Sequence, residues 1–456
     1  MRLFFDHGTL VIAEAPDTSL DFVPGLLWDP RVALFRAPAH RYVDVVHALK
    51  RRGIAFRDQV RRELMPEAGT WRSVELRPYQ QAALLSWELA GCRGIVVMPT
   101  GSGKTRVALA ALATSGTRAL CLVPTRALLQ QWLTELSAVH DGTVGCLGDG
   151  QFNLAAVTVA TFESAYRHMP RIGPHFELLI VDEVHHFGTG LRDEALEMCV
   201  AERRLGLTAT PPGEPALTRL AHLVGPLTYQ LRVGDLAGRW LAEFDLVAIH
   251  VGLNREERQA YAADHRMFSE VNRRFRQHYP QGSWQEFVSS ASQSPEGRAA
   301  LLAWRRTRRL VGFTEAKAEA VRVLLARHRG SRVLVFTADN AAAYAISREH
   351  LIMPITCDIS RGERERALSA FRSGELRALV SARVLNEGID VPEADVAIIV
   401  GGTQGEREHV QRVGRLLRPS AGKRALVYEL VTVATSEVRR AAERRRGLAA
   451  TSVVPA

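Results

Sequence analysis

The chain has 456 residues, 46% of them apolar and 24% charged, with five cysteines and a formal net charge of +10. No apolar run approaches the roughly 18 residues that a membrane span needs, so no membrane partner is expected. The cysteines (Cys92, Cys121, Cys146, Cys199, Cys357) are scattered without a CxxC pair, which argues against a structural metal or a disulfide framework and for reduced thiols in a cytoplasmic protein.

The opening Met1-Arg2-Leu3-Phe4-Phe5 meets Asp6 after three apolar residues, so no signal peptide is expected. A pI of about 9.8 points to a polyanionic partner. The basic residues are lopsided, with 55 arginines against the four lysines Lys50, Lys104, Lys317 and Lys423. A lysine kept in such a chain marks a place where a guanidinium does not serve.

In chain order, residues 1–70 read as a small α+β domain. Short strands are expected around Leu10–Ala13 and Val32–Phe35, then a helix from about Arg41 to Arg52 with Val43, Val46 and Leu49 on one face. Residues 71–240 alternate apolar strand-like runs (Gly94–Met98, Ala119–Val123, Ala156–Ala160, Leu178–Val181, Leu205–Leu207) with helical segments, the pattern of a parallel sheet wrapped by helices. A second such series spans 241–450, starting near Leu246 and resuming at Val333–Phe336, Ala378–Ser381 and Val396–Val400. Between its first two strands, at about 255–310, the pattern turns into charged, aromatic-rich helix. Residues 451–456 read as a tail.

The chemistry is concentrated in the first series. Arg93–Met98 is a buried strand running into Pro99-Thr100-Gly101-Ser102-Gly103-Lys104-Thr105 and a helix with Val107, Ala108, Ala110 and Ala111. Gly101 and Gly103 let backbone N–H groups turn onto phosphate oxygens, with the helix N-terminus adding partial positive charge. Lys104 would set a compact ammonium against the β- and γ-phosphates, and the Thr105 hydroxyl would ligate Mg²⁺. Leu178–Val181 then delivers Asp182 and Glu183 at a strand C-terminus, where ligands sit in open α/β sheets. Asp182 would hold Mg²⁺ through water, and Glu183 would orient and deprotonate the attacking water. The next pair, His185-His186, is a weak zinc candidate because adjacent histidines are expected to point apart.

The remaining motifs follow the order found in superfamily 2 helicases. Leu76-Arg77-Pro78-Tyr79-Gln80 resembles their adenine-reading motif, which implies Arg77 and Gln80 at the nucleotide. Val123-Pro124-Thr125-Arg126 and Ala160-Thr161-Phe162 resemble backbone-contacting motifs, and Gly206-Leu207-Thr208-Ala209-Thr210 resembles the coupling motif. Asn386-Glu387-Gly388-Ile389-Asp390-Val391-Pro392 and Gln411-Arg412-Val413-Gly414-Arg415-Leu416-Leu417-Arg418-Pro419 resemble the late motifs. In these, Gly388, Asp390 and Gln411 are implied nucleotide contacts and Arg415 and Arg418 arginine fingers.

Nearly the whole chain is similar to the XPB-type DNA helicases in their short archaeal and bacterial form. That resemblance implies an α/β fold of two RecA-like parallel-sheet lobes, a thumb-like helical insertion and an N-terminal domain resembling a damage-recognition domain. It further implies an ATP- and Mg²⁺-dependent 3′-to-5′ helicase or translocase acting on duplex, forked or bubble DNA, in the cytoplasm at the nucleoid, beside a nuclease partner. The family's Arg-Glu-Asp element after the coupling motif is here Pro211-Pro212-Gly213-Glu214-Pro215, so movement is better supported than strand separation. The same motifs suit the motor subunit of a restriction or anti-phage nuclease complex, an RNA-directed helicase, or an ATP-gated clamp.

Arginines interleave with aromatics in the insertion. Arg273, Arg274, Arg276, Trp304 and Arg305 are the candidate DNA contacts, phosphates being neutralised and bases stacked. The alternative is a helical hairpin whose aromatics, such as Phe268 and Phe275, form its own core.

Overall fold

The computed structural model describes every residue except 15–19, 62–68, 191, 237–242, 383–393, 402–423, 446–452 and 456. Its contacts divide the chain into two compact units, Met1–Leu231 and Arg232–Ala456.

The first unit opens with a five-stranded sheet: β1 (Arg2–Asp6), β2 (Thr9–Ala13), β3 (Leu27–Asp29), β4 (Leu34–Pro38) and β5 (Arg57–Gln59), in the order β3-β4-β2-β1-β5. The sequence reading finds β2 and β4 but not β1, nor the pair β3 and β5. Those two are three-residue edge strands with mostly exposed side chains, too short to show a period of two. The helix Tyr42–Arg51 buries Val45 and Leu49, one turn apart. The expected face through Val43 is therefore rotated, because Val45 is the valine that meets Leu3, Leu10 and Ile12.

That small core is completed from outside by Val200, in the loop between the helix Glu194–Glu197 and the strand that starts at Arg203. Around it, Arg61 pairs with Glu177 and Glu202, each at 3.2 Å, and Glu177 also takes Arg118 at 3.1 Å. The N-terminal domain is thus sealed onto the base of the lobe that follows.

His40 lies beneath this seam, half-buried, and its Nδ1 has no hydrogen-bond partner. Burial, with the charges of Arg204, Arg41 and Arg93, pushes its pKa down to about 3. A folded value below the unfolded one (~6.5) means that the unfolded chain takes up a proton the folded chain refuses, so stability falls as the pH drops through 6.5. Wild-type protein is expected to lose about 2 kcal/mol between pH 7 and 5 through this group. Denaturant titrations of a His40→Leu variant at the two pH values should lack that component of the slope.

The second sheet comprises β6 (Arg93–Val97), β7 (Ala119–Val123), β8 (Val144–Gly148), β9 (Gln151–Asn153), β10 (Val157–Thr161), β11 (Leu178–Asp182), β12 (Arg203–Thr208) and β13 (Leu227–Gln230). The order is β13-β6-β12-β11-β7-β10-β8-β9, parallel except for β9, which turns back on β8. β7, β10 and β11 are buried along their whole length, as central strands covered on both faces must be. The strands that carry the motifs end on one edge.

Arg204, at the start of β12, is wholly buried, and its guanidinium donates to the carbonyls of Ala201, Leu196, Leu223 and Cys199 at 2.5–3.0 Å. A fork of five donors suits this cage of chain-end carbonyls.

The second unit holds β14 (Glu243–Val251), β15 (Val333–Phe336), β16 (Met353–Ile355), β17 (Ala378–Ser381), β18 (Val396–Ile399), β19 (Arg424–Thr432) and β20 (Val453–Pro455). They form one parallel sheet ordered β16-β17-β15-β18-β19-β14-β20. Residues 453–455, expected to be a tail, instead pair with β14 at its outer edge.

Between β14 and the helix Glu315–Arg327 stand three helices, Arg255–His278, Trp284–Ser292 and Pro295–Gly312. Each has a side-chain cap, from Asn254, Ser283 and Ser294 in turn, which explains where the helices start. Phe275, Phe287 and Ala291 make their internal core, with Phe268 packed against it. For Phe268 and Phe275 the self-packing reading therefore holds.

These helices are anchored by a buried ion pair. Lys317 and Glu437 are 0% and 3% exposed, with Nζ 2.9 Å from Oε2 and 3.0 Å from Oε1. Nζ also donates to Val311 O (2.9 Å), and Glu437 Oε2 accepts from Thr432 N (2.8 Å). Nearby, Tyr261 Oη accepts from Ser436 N at 3.0 Å. The end of the inserted helices, the helix Glu437–Arg445 and the end of β19 thus meet at one charged knot.

Candidate nucleotide and nucleic-acid site

β6 delivers the glycine loop to the sheet edge. Gly101 and Gly103 have φ of +81° and +79°, the left-handed region that glycine enters at no steric cost. A β-carbon on Gly103 would also lie 2.5 Å from Gln80 Nε2. The helix Lys104–Ser115 starts at the next residue, so its unpaired N–H groups face the loop. Ser102 Oγ donates to Pro99 O at 2.6 Å and Lys104 Nζ to Met98 O and Pro99 O at 3.1 and 3.4 Å. Thr100 Oγ1 is buried with no partner, and Thr105 is half-buried in the first turn of the helix.

The opening Arg77–Gln80 braces this loop. The Arg77 amide donates to Gln80 Oε1 (2.9 Å), while Gln80 Nε2 and Tyr79 Oη both donate to Ser102 O at 2.8 and 2.9 Å. Gln80 is 2% exposed, and its amide is engaged at both ends, by the Arg77 amide at Oε1 and by the loop at Nε2. That is a positioning role which the adenine-reading expectation did not contain. Arg77 itself is half-buried and donates to Tyr79 Oη at 3.3 Å.

On β11, two strands away, Asp182 is 6% exposed. Its Oδ2 accepts from Trp132 Nε1 at 2.9 Å and its Oδ1 from the Glu183 amide at 3.0 Å. Glu183 takes φ +52°, an unfavourable conformation for a side-chain-bearing residue that ends the strand and starts the turn Val184–His186. Its Oε2 is buried without a hydrogen-bond partner, 3.3 Å from His185 Nδ1. His185 Nδ1 lies 2.9 Å from Thr208 Oγ1, which itself donates to Thr210 O at 2.9 Å. A continuous polar chain therefore links the Glu183 carboxylate to Thr208 and Thr210.

The expectation that the two histidines diverge is wrong. On a tight helical turn rather than a strand, the His185 and His186 rings stack at 4.4 Å and 28°. No metal-holding cluster of three or more His, Cys, Asp or Glu occurs among the described residues.

Burial and the Glu183 charge push Asp182 up to about 6, against the Trp132 hydrogen bond and the Lys104 charge. Burial works against ionised Glu183 too, but His185, Lys104 and His186 outweigh it and hold its pKa down. Two adjacent buried carboxylates with one ammonium leave a deficit of positive charge, which a divalent cation would fill. The unpartnered Thr100 Oγ1 and Glu183 Oε2 fit the same group, a metal-bound nucleotide.

Trp132 was invisible to motif reading. It lies on the buried face of the helix Arg126–Val139, and only the β7–β11 pairing brings that helix over Asp182. Trp132→Phe removes a hydrogen bond that orients the carboxylate. The Mg²⁺ concentration for half-maximal ATP hydrolysis is expected to rise about tenfold. An unchanged Mg²⁺ titration would show that Trp132 only fills space.

Thr125 and Thr161 sit beyond β7 and at the end of β10 and cap the two helices that follow, accepting from Leu128 N and Ser164 N at 3.3 Å. Arg126 is largely exposed and 3.3 Å from Asp149. Two helix N-termini and an arginine thus lie on one edge, a combination chemically able to take phosphate oxygens.

In the other unit, Arg273, Arg274 and Arg276 are exposed on the first inserted helix, with Arg274 paired to Glu270 and Arg276 to the carbonyl of Gly282. Trp304 is half-buried against Trp284, with Arg308 over its ring at 4.9 Å, and Arg305 is exposed. Gly388, Asp390, Gln411, Arg415 and Arg418 lie outside the described residues.

Three family models match in succession. They are a Xeroderma pigmentosum group B helicase damage recognition domain at 3–60, a type III restriction enzyme res subunit at 73–213 and a helicase conserved C-terminal domain at 316–420. The DNA 3′-5′ translocase XPB2 of Sulfurisphaera tokodaii is 35% identical over 93% of this chain and 96% of its own length. The DNA 3′-5′ helicase XPB of Mycobacterium tuberculosis is 31% identical over 82% of this chain and 64% of its own.

Among solved structures, the Pyrococcus furiosus Hef helicase domain superposes with a TM-score of 0.54 at 18% identity, covering 81% of this chain and 98% of its own. The S. cerevisiae Dbp5 bound to RNA and ADP BeF3 gives 0.56 at 16%, covering 83% and 89%. Both support the fold alone. With consecutive matches to the damage-recognition and helicase models and near full-length likeness to an archaeal relative, the chain belongs to the XPB family of superfamily 2 DNA helicases and translocases.

Proposed function

We propose that the protein is an ATP-hydrolysing motor that moves 3′-to-5′ on DNA in repair or genome maintenance, and that Lys104, Thr105, Asp182 and Glu183 form its hydrolytic centre. The observation that carries this reading is one edge of one sheet. There a glycine loop with its lysine, two buried carboxylates of opposite proton affinity and the Thr208–Thr210 relay come together.

Thr105 and Asp182 would hold Mg²⁺, which when bound supplies charge neutralisation on the phosphate oxygens. Lys104 binds the outer phosphates once its ammonium leaves the loop carbonyls. Glu183, kept ionised by His185 and Lys104, holds and deprotonates the attacking water. Because His185 touches both Glu183 and Thr208, any shift of the coupling strand moves the base. That supports communication between hydrolysis and the Thr125, Arg126 and Thr161 edge.

Translocation fits better than strand separation. Where the family carries its Arg-Glu-Asp element, Glu214 is spent on a surface hydrogen bond from Thr218 at 2.7 Å. A partner protein would supply any cleavage.

The test is steady-state hydrolysis with no nucleic acid, duplex, forked and single-stranded DNA, and RNA. DNA should stimulate the rate well above RNA. The DNA concentration for half-stimulation should climb steeply with salt, since phosphate contacts release counterions. A rate indifferent to every nucleic acid would overturn the assignment.

A further inference from the structure

Phe152 is the central residue of the three-residue edge strand β9 and is 50% exposed. A large aromatic at a sheet edge is costly in water, yet this one is held in a defined setting. The His168 ring meets it edge-on at 4.9 Å, and the Arg171 guanidinium lies over it at 5.8 Å. Arg171 is exposed and makes no ion pair among the described residues. Phe152 and Arg171 also line a cleft of about 310 Å³, together with Asp6 and His7 of the N-terminal domain and His175. That volume lies at the lower end of the range of small-molecule sites, about 300–1,000 Å³. The one carboxylate in the cleft, Asp6, is paired with Arg36 at 2.9 Å and hydrogen-bonded to His7 Nδ1 at 2.7 Å, which leaves the Arg171 guanidinium as the charged group that can face an anion.

One helix runs from the candidate phosphate-contacting edge to the cleft. Ser164, His168 and Arg171 follow one another at helical spacing on the helix Phe162–Ile172, which Thr161 caps. The β8–β9 turn lies against the same cap, since a β-carbon on Gly148 would come within 2.9 Å of Thr161 Cγ2. Eleven residues of helix span about 16 Å, roughly five steps of a stacked strand at about 3.4 Å each.

We propose that this cleft takes an unpaired nucleotide of the DNA, with its base on Phe152 and its phosphate against Arg171. A strand leaving the Thr125–Thr161 edge would thereby be led down the flank of the first lobe to the N-terminal domain. The inference rests on reading the protein as a DNA motor. It adds that the protein distinguishes opened from closed DNA with this pocket, because a base can reach an aromatic face only when it is unstacked from its partner.

The test compares wild type, Phe152→Ala, Arg171→Ala and a control, Tyr166→Ala, whose ring is exposed elsewhere on the same helix. Affinity is measured for a duplex and for the same duplex carrying an unpaired bubble, and bubbles bearing 5-iodouracil are photo-crosslinked and mapped. Wild type and Tyr166→Ala should favour the bubble, with crosslinks on the peptide containing Phe152. Phe152→Ala should lower the bubble-to-duplex preference about tenfold, and Arg171→Ala should lower it less. Equal preference in wild type, a preference untouched in both variants, or equal loss on both DNAs would overturn the pocket while leaving the motor intact. Failure of wild type to bind either DNA would overturn the motor reading itself.

Discussion

Lys104→Ala is expected to lower DNA-stimulated ATP hydrolysis about 10³-fold, roughly 4 kcal/mol of transition-state stabilisation. Among the described residues, the ammonium is the one lysine or arginine charge that reaches both Asp182 and Glu183, and it emerges directly from the glycine loop. Its loss removes phosphate binding and deepens the charge deficit around the carboxylates at the same time. Lys104→Arg is the sharper variant. A planar fork cannot occupy the place of a point charge wedged between the carbonyls of Met98 and Pro99, so it should recover less than about a tenth of the rate. In a chain with 55 arginines, full activity of Lys104→Arg would refute the claim that shape is what retained the lysine. Steady-state rates at saturating ATP and DNA, with circular dichroism to confirm folding, decide it.

Lys317→Met is expected to cost about 3–5 kcal/mol, because it leaves Glu437 charged, buried and facing only the Thr432 amide. Thermal unfolding of the Arg232–Ala456 unit should fall by about 10 °C. The double variant Lys317→Met with Glu437→Leu should regain much of this, since a buried pair replaced by apolar groups of similar volume is often nearly neutral. The Thr432 amide would then lack its acceptor and the Val311 carbonyl its Lys317 donor. If the single and double variants melt alike, the knot contributes packing and not charge.

Both lysines illustrate what a sequence exposes and what it hides. Lys104 could be read because its meaning is local: an apolar strand, two glycines and a helix start within a dozen residues define the phosphate loop without reference to anything distant. Asp182 and Glu183 were legible for the same reason, at the end of an apolar run. Lys317 stood out only as a rare residue. Its partner Glu437 is 120 positions away, and no pattern near either one announces the other.

The same distance hid Trp132 and the engagement of Gln80 with Ser102. The His185–His186 stack was misjudged because the alternation of a strand was carried beyond its end at Asp182, four residues too far, into the turn Val184–His186. In the insertion, composition alone could not separate Phe275, which is core, from Trp284, which is 42% exposed. The three capping residues Asn254, Ser283 and Ser294 were the signal that would have divided it into helices.

The seam at Val200 has a practical consequence for dissecting the protein. A truncation lacking residues 1–61 would expose Val200, leave Glu202 without Arg61 and leave Glu177 with Arg118 alone. Such a shortened protein is not a motor relieved of an accessory but a first lobe with an open wound. Activity lost in it would be no measure of what the N-terminal domain does to DNA. Grafting a relative's N-terminal domain would succeed only if the recipient's side of the seam travelled with it, so the heritable module here is larger than the domain that names it.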